Sequence, residues 1–246
     1  MNLTKSSNPV LNDSVFSQML TSQAIPAEAM TVNGTVRKTA LSLAVLVAAA
    51  VYSWQHISGG FPLIISAIGT FAVAIVTAFK PALARYTAII YAVLEGVLLG
   101  VISRMMEQSY QGLVARAVVI TFGVFLLMLV LYRSGVIKVS GKFATGLIAA
   151  TGGVALLYLG SFIARLCGVD VSFLSGSSTL SIGISIVVAA IAALNLILDF
   201  DFIERGAAMN APKTMEWYGA FGLMVTLVWL YIEILRLLAK IAARRN

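Results

Sequence analysis

The chain has 246 residues, 60% hydrophobic and only 11% charged, with a formal net charge of +7. A soluble domain carries roughly 25% charged and 45–50% apolar residues, so this composition cannot clothe a globule in polar surface and places the chain in lipid. One cysteine, Cys167, excludes an internal disulfide framework and a cysteine-rich metal site and reads as a small packed hydrophobe; the basic residues are scattered between apolar runs, as membrane-flanking anchors are, not gathered into a nucleic-acid patch.

Residues 1–36 read as a polar tail of Ser, Asn, Thr and Pro with room for a short surface helix, and they lack the apolar h-region of a cleavable signal peptide. Residues 37–240 read as one all-α transmembrane domain, and 241–246 as a short basic tail. A spanning helix needs ~20 mostly apolar residues. Seven segments qualify, at 39–55, 61–79, 86–103, 113–132, 143–164, 179–200 and 217–238. The first is short and is expected to begin before Thr39. The runs are too long and too uniformly apolar for barrel strands.

Lys and Arg set the expected orientation. With the N-terminus cytoplasmic, the inner side holds Lys5, Arg37, Lys38, Lys80, Arg85, Arg133, Lys138, Lys142, Arg205 and Lys213. The outer connections hold Arg104, Arg116 and Arg165. Seven spans then put Lys240, Arg244 and Arg245 outside, against the rule, unless the seventh segment is re-entrant. Small residues recur at helix-packing spacing, with a GxxxG at Gly96 and Gly100 and glycines at 146, 152, 153 and 160 in the fifth span. In a chain this rich in Gly and Ala, such matches arise readily by chance.

A few polar residues lie well inside the spans. Glu95 is mid-span in "YAVLEGVLLG"; Asn195 and Asp199 are in the sixth span, Thr226 and Glu233 in the seventh. A carboxylate at the centre of a membrane helix costs roughly 2.5–3.5 kcal/mol on insertion scales, so such groups face the bundle interior or a water-filled cavity. Asn195 and Asp199 are i,i+4 and share a helix face. Asp199 and Asp201 are about 200° apart and cannot face one site. Asp201 and Arg205 are i,i+4 and suit a boundary ion pair or gate; Glu233 and Arg236, i,i+3, suit the same. By depth, Glu95 and Thr226 lie nearer Asp199 than Glu233 does.

The stretches "YAVLEGVLLGVIS" (91–103), "FGVFLLMLVLYRSG" (122–135), "NLILDFDFIERG" (195–206) and "WYGAFGLMVTLVWLYIEILRLL" (217–238) together resemble the Bax inhibitor-1/YccA (TMBIM) family. The opening "SNPVLNDSVF" looks like its bacterial branch with a long N-terminal tail. The resemblance implies a seven-helix bundle around a central seventh helix and a multi-pass protein of the bacterial inner membrane. It also implies a pH-sensitive calcium leak. The implied calcium site is a pair of aspartates sharing a proton, one late in helix six and one in helix seven. The first matches Asp199; the second position is occupied by Thr226, which cannot share a proton as a carboxylate does. Glu95 matches a buried acidic position of the family and is the candidate replacement, so Asp199 and Glu95 are the candidate calcium ligands, with Asn195 and Thr226 beside them. Ca²⁺ takes six to eight oxygens. This set supplies only some of them, which favours weak binding and passage over a tight site, with no tightly bound cofactor. Protonating such a pair would weaken its hold on cations.

No enzyme chemistry stands out. The only histidine, His56, is read in a loop after the first span, and neither HExxH, a P-loop nor GxGxxG is present. The expected partners are the lipid bilayer and calcium or protons, with no nucleic acid. The competing reading is a membrane regulator that binds another membrane protein, such as a quality-control protease, and uses its polar core only as a latch.

Overall fold

The computed structural model describes residues 29–57, 60–169, 171, 174 and 176–245. The reading of a tail over 1–36 therefore lies mostly outside the described residues. Among the described residues seven α-helices form: α1 Val32–His56, α2 Gly60–Phe79, α3 Ala84–Ser109, α4 Leu113–Arg133, α5 Gly141–Leu166, α6 Thr179–Ala208 and α7 Met215–Arg245. A short 3₁₀ turn, Pro81–Leu83, precedes α3. All seven are long and apolar enough to cross a membrane, so the protein is an all-α, multi-pass membrane protein.

Helix ends move outward from the apolar runs for local reasons. Thr31 caps α1, its hydroxyl accepting from the Gly34 amide, and Ser140 caps α5 in the same way with Phe143. The α1 helix therefore begins at Val32, through residues too polar to read as membrane-spanning. Its small polar residues Thr35, Thr39, Ser42 and Ser53 are buried, whereas Val36, Leu41, Val47 and Val51 are exposed. The apolar face is the lipid face, which inverts the pattern of a soluble helix. Thr35 and Thr39 satisfy their hydroxyls on carbonyls one turn back. His56 is the last residue of α1, stacked on Tyr52, and not part of a loop. Cys167 is exposed at the C-cap of α5 instead of packed inside.

The α6 helix continues eight residues beyond its apolar run, through "DFIERGAA", so Asp201 and Arg205 are helical too. The α7 helix is one continuous element of 31 residues, about 46 Å at 1.5 Å per residue. That exceeds the ~30 Å hydrocarbon core, and an unbroken helix of this length does not re-enter. The α7 span is also the most buried, at 61% of its apolar window, against 56% for α3, 44% for α6 and 11% for α5.

The chain forms two compact units. The first holds α1, α2 and α3 with the segment Asp199–Val225. Here α1 and α2 both pack on α3. Gly96 and Gly100 of α3 lie against the carbonyl oxygens of Leu46 and Ala50 on α1, so closely that a Cβ at either glycine would stand 2.3 Å away. The Ser53 hydroxyl donates to the Val97 carbonyl across the same contact at 2.8 Å. Tyr91 meets Phe221 edge-on at 4.9 Å between centroids. The second unit holds α4, α5, Thr179–Leu198 of α6 and α7 from Thr226. Its apolar centre includes Ala144, Leu147 and Leu198, with Phe143 and Ile191 packed against them.

Candidate functional site

The buried polar residues are positioned by the long helices. Glu95 is 4% exposed, midway along α3. Its carboxyl faces the Thr70 hydroxyl on α2, and Tyr91 lies one turn earlier on its own helix. Asp199 is wholly buried and belongs to the same unit as Glu95. This unit also encloses the Ser42 hydroxyl and the Tyr218 phenol, for which no hydrogen-bond partner is found among the described residues. Buried polar atoms of that kind are normally satisfied by water where protein offers nothing.

Asp201 is only partly buried and forms an ion pair with Arg205, whose Nε also approaches the Asp201 carbonyl oxygen at 3.4 Å. The two aspartates of the "DFD" triplet therefore sit in different surroundings, one sealed in the interior and one paired at its margin.

Asn195 and Thr226 belong to the second unit, each 3% exposed. The Asn195 amide nitrogen donates to the Thr151 hydroxyl at 2.9 Å and to the Ile191 carbonyl at 2.8 Å. The first ties α6 to α5, the second returns to the backbone of α6 one turn back, and together they occupy both of the amide's protons. Glu233 is 1% exposed and held by three donors. Tyr158 gives its hydroxyl to the two carboxylate oxygens at 2.9 and 3.0 Å, Trp229 its indole N–H at 3.3 Å, and Arg236 its guanidinium at 3.4 Å. Arg236 also stacks over the Tyr158 ring, 4.9 Å from its centroid. This is a structural ion pair with aromatic support.

Two clusters have no counterpart in the sequence reading. Glu216, in the first turn of α7, is 2% exposed. It accepts from the Thr31 amide and hydroxyl, both at 2.9 Å, and pairs with Lys38. Lys38 also lies over the Trp217 ring, 5.5 Å from its centroid. The carboxylate thus lies in the first turn of its own helix and against the start of α1, where helix dipoles favour negative charge. Beside it, Met30 donates its amide to the Ala211 carbonyl at 2.7 Å, and Ala29 pairs with Pro212. At the far end of α7, Lys240 is buried as well. Lys240 and Glu216 were legible only as charged residues near span ends; nothing in the spacing points to Thr31 or to the α5–α6 connection.

Among the described residues, no three His, Cys, Asp or Glu side chains gather as a metal site would.

The chain matches the family model described as Bax inhibitor 1 like over residues 8–243. The chain belongs to that family. No curated protein and no solved structure matches it. The match takes in α1 to α6 and all but the last two residues of α7 of this Bax inhibitor 1 like protein, including Glu95 on α3, Asp199 on α6 and Thr226 on α7.

Proposed function

We propose that this Bax inhibitor 1 like protein lets cations, calcium first among them, pass across a membrane along a polar interior that includes Glu95 and Asp199. The observation that carries the reading is the burial of two carboxylates, 4% and 0% exposed, in one compact unit of a membrane protein. Buried charge in a span is expensive and marks ion or proton handling by default. The unspent hydroxyls of Ser42 and Tyr218 in that unit add places where water would hydrate a passing ion. With Thr226 in place of a second aspartate on α7, Glu95 is the carboxylate that joins Asp199, and Asn195 serves α6–α5 packing. Weak, partly hydrated coordination favours exit as well as entry. Acidification protonates the carboxylates, removes their negative charge and slows the passage.

The protein resides in a bacterial inner membrane with its N-terminus cytoplasmic. The Lys and Arg bias supports that orientation. Arg236 and Lys240 bond to protein groups, which leaves Arg244 and Arg245 as the tail's remaining basic residues. The test is calcium entry into proteoliposomes. Asp199→Asn and Glu95→Gln should each lower the flux, and the wild-type flux should fall from pH 8 to pH 6. Unchanged flux in both well-folded variants overturns the reading.

The second reading is a regulator docked to another membrane protein. It is favoured by α5, where Gly146, Gly153 and Gly160 recur every seven residues with open space at each Cβ position, a face on which a partner helix packs closely. Under it, Asp199→Asn lowers stability and leaves ion flux unchanged.

A further inference from the structure

Lys240 sits five residues before the end of α7. A lysine so placed ordinarily extends along the helix and puts its ammonium in water. This one turns inward and is 6% exposed. Its ammonium donates to the Leu174 carbonyl at 2.6 Å, the Ser185 hydroxyl at 2.7 Å and the Ser181 carbonyl at 3.2 Å. An ammonium has three protons, and here each finds a neutral oxygen. Leu174 comes from the α5–α6 connection and is itself held by the Ser181 hydroxyl at 2.9 Å. Ser181 and Ser185, 0% and 2% exposed, are one turn apart on α6.

No carboxylate bonds this ammonium among the described residues. Glu233 lies two turns back on α7, where Tyr158, Trp229 and Arg236 hold it. A buried charge with only neutral acceptors gains less than one in an ion pair. Three oxygens converging on a positive centre are the beginning of a cation cage. The protein fills that cage with its own cation.

We propose that Lys240 is a tethered cation that seals the crevice between α6 and α7 at this end of the second unit. Its ammonium occupies the cage of Leu174, Ser181 and Ser185 oxygens and so denies it to water and to small monovalent cations. Withdrawing the side chain opens the cage to solvent. The seal is a local property and stands apart from calcium passage; a protein that conducts nothing would still show it.

The test reads water access at position 181. Ser181→Cys is made in a Cys167→Ser background; it keeps the three oxygens that accept from Lys240 and puts a thiol where the Ser181 hydroxyl bonds the Leu174 carbonyl, so every rate is compared with this parent. The thiol is then labelled with a charged methanethiosulfonate, which reacts only where water reaches. With Lys240 present, labelling should be slow. Adding Lys240→Met should speed it at least ~10-fold, as expected when a locally closed state opens. Ser185→Ala, which removes one oxygen and keeps the lysine, should give an intermediate rate and decides the matter alone if Lys240→Met fails to fold. Fast labelling with Lys240 present overturns the proposal. So do equal rates in variants that keep the parent's elution profile and thermal transition.

Discussion

Alanine at Gly100 tests how closely α1 and α3 approach. Its Cβ would stand 2.3 Å from the Ala50 carbonyl oxygen and about 3.0 Å from the Ser53 Cβ. The first obstacle is backbone and cannot swing aside. The two helices must part locally by at least about 0.7 Å before the contact reaches even 3.0 Å, the floor for real Cβ neighbours. Overpacking of this kind costs roughly 1–3 kcal/mol, while exchanging Gly for Ala in a helix returns up to about 1 kcal/mol. From the middle of the first range, about 2 kcal/mol, the net loss is about 1–2 kcal/mol, or roughly 2–8 °C in Tm for a chain of this size. Gly96, facing the Leu46 carbonyl at the same distance, should behave alike. The control is Gly153 on α5, where a Cβ meets nothing within 4 Å; alanine there should leave Tm unchanged or raise it. Thermal unfolding of the purified protein in one detergent measures all three. A Gly100→Ala variant as stable as wild type, or a Gly153→Ala variant equally damaged, refutes the reasoning.

Three further substitutions probe the polar clusters. Glu216→Ala leaves Lys38 without its carboxylate and the Thr31 donors without an acceptor; removing one partner of a buried pair costs roughly 3–5 kcal/mol, so at roughly 2 °C per kcal/mol a Tm drop of about 6 °C or more is expected. Tyr158→Phe removes the closest donors to Glu233 and should cost about 1–3 kcal/mol in the same unfolding assay. Asp201→Asn weakens a partly exposed pair with Arg205, so stability should fall by no more than about 1 kcal/mol and calcium flux should match wild type, unlike Asp199→Asn.

The number of spans and the middle of each were legible because lipid demands long apolar runs and the chain has seven. The ends were less so. Nothing in hydropathy extends α1 back to Val32, since its protein-facing residues are threonines and serines whose hydroxyls are satisfied locally. The run at 179–200 stops short of Ala208 because the added residues are charged yet still helical. Within one helix, spacing carried real information: Asp199 and Asp201 differ in surroundings as opposed faces require, and Arg205 pairs with Asp201. Pairings between distant residues were invisible. Glu216 meets Thr31 across 185 positions, Tyr158 meets Glu233 across 75, and Lys240 meets Leu174 across 66. Helical periodicity places a residue on a face and at a depth, but not against a particular neighbour on another helix. Lys240 counted in the sequence only as a basic residue near the end of the last span for that reason.

The most direct test of cation passage past Glu95 and Asp199 is a double-variant cycle on calcium flux in proteoliposomes. Wild type, Glu95→Gln, Asp199→Asn and the combination are compared at pH 8, after each is shown to fold. If both groups serve one pathway, each single variant slows the flux and the double variant is scarcely slower than the worse single. Flux in the double variant as fast as in wild type, or wild-type protein that passes no calcium at any pH, contradicts the account.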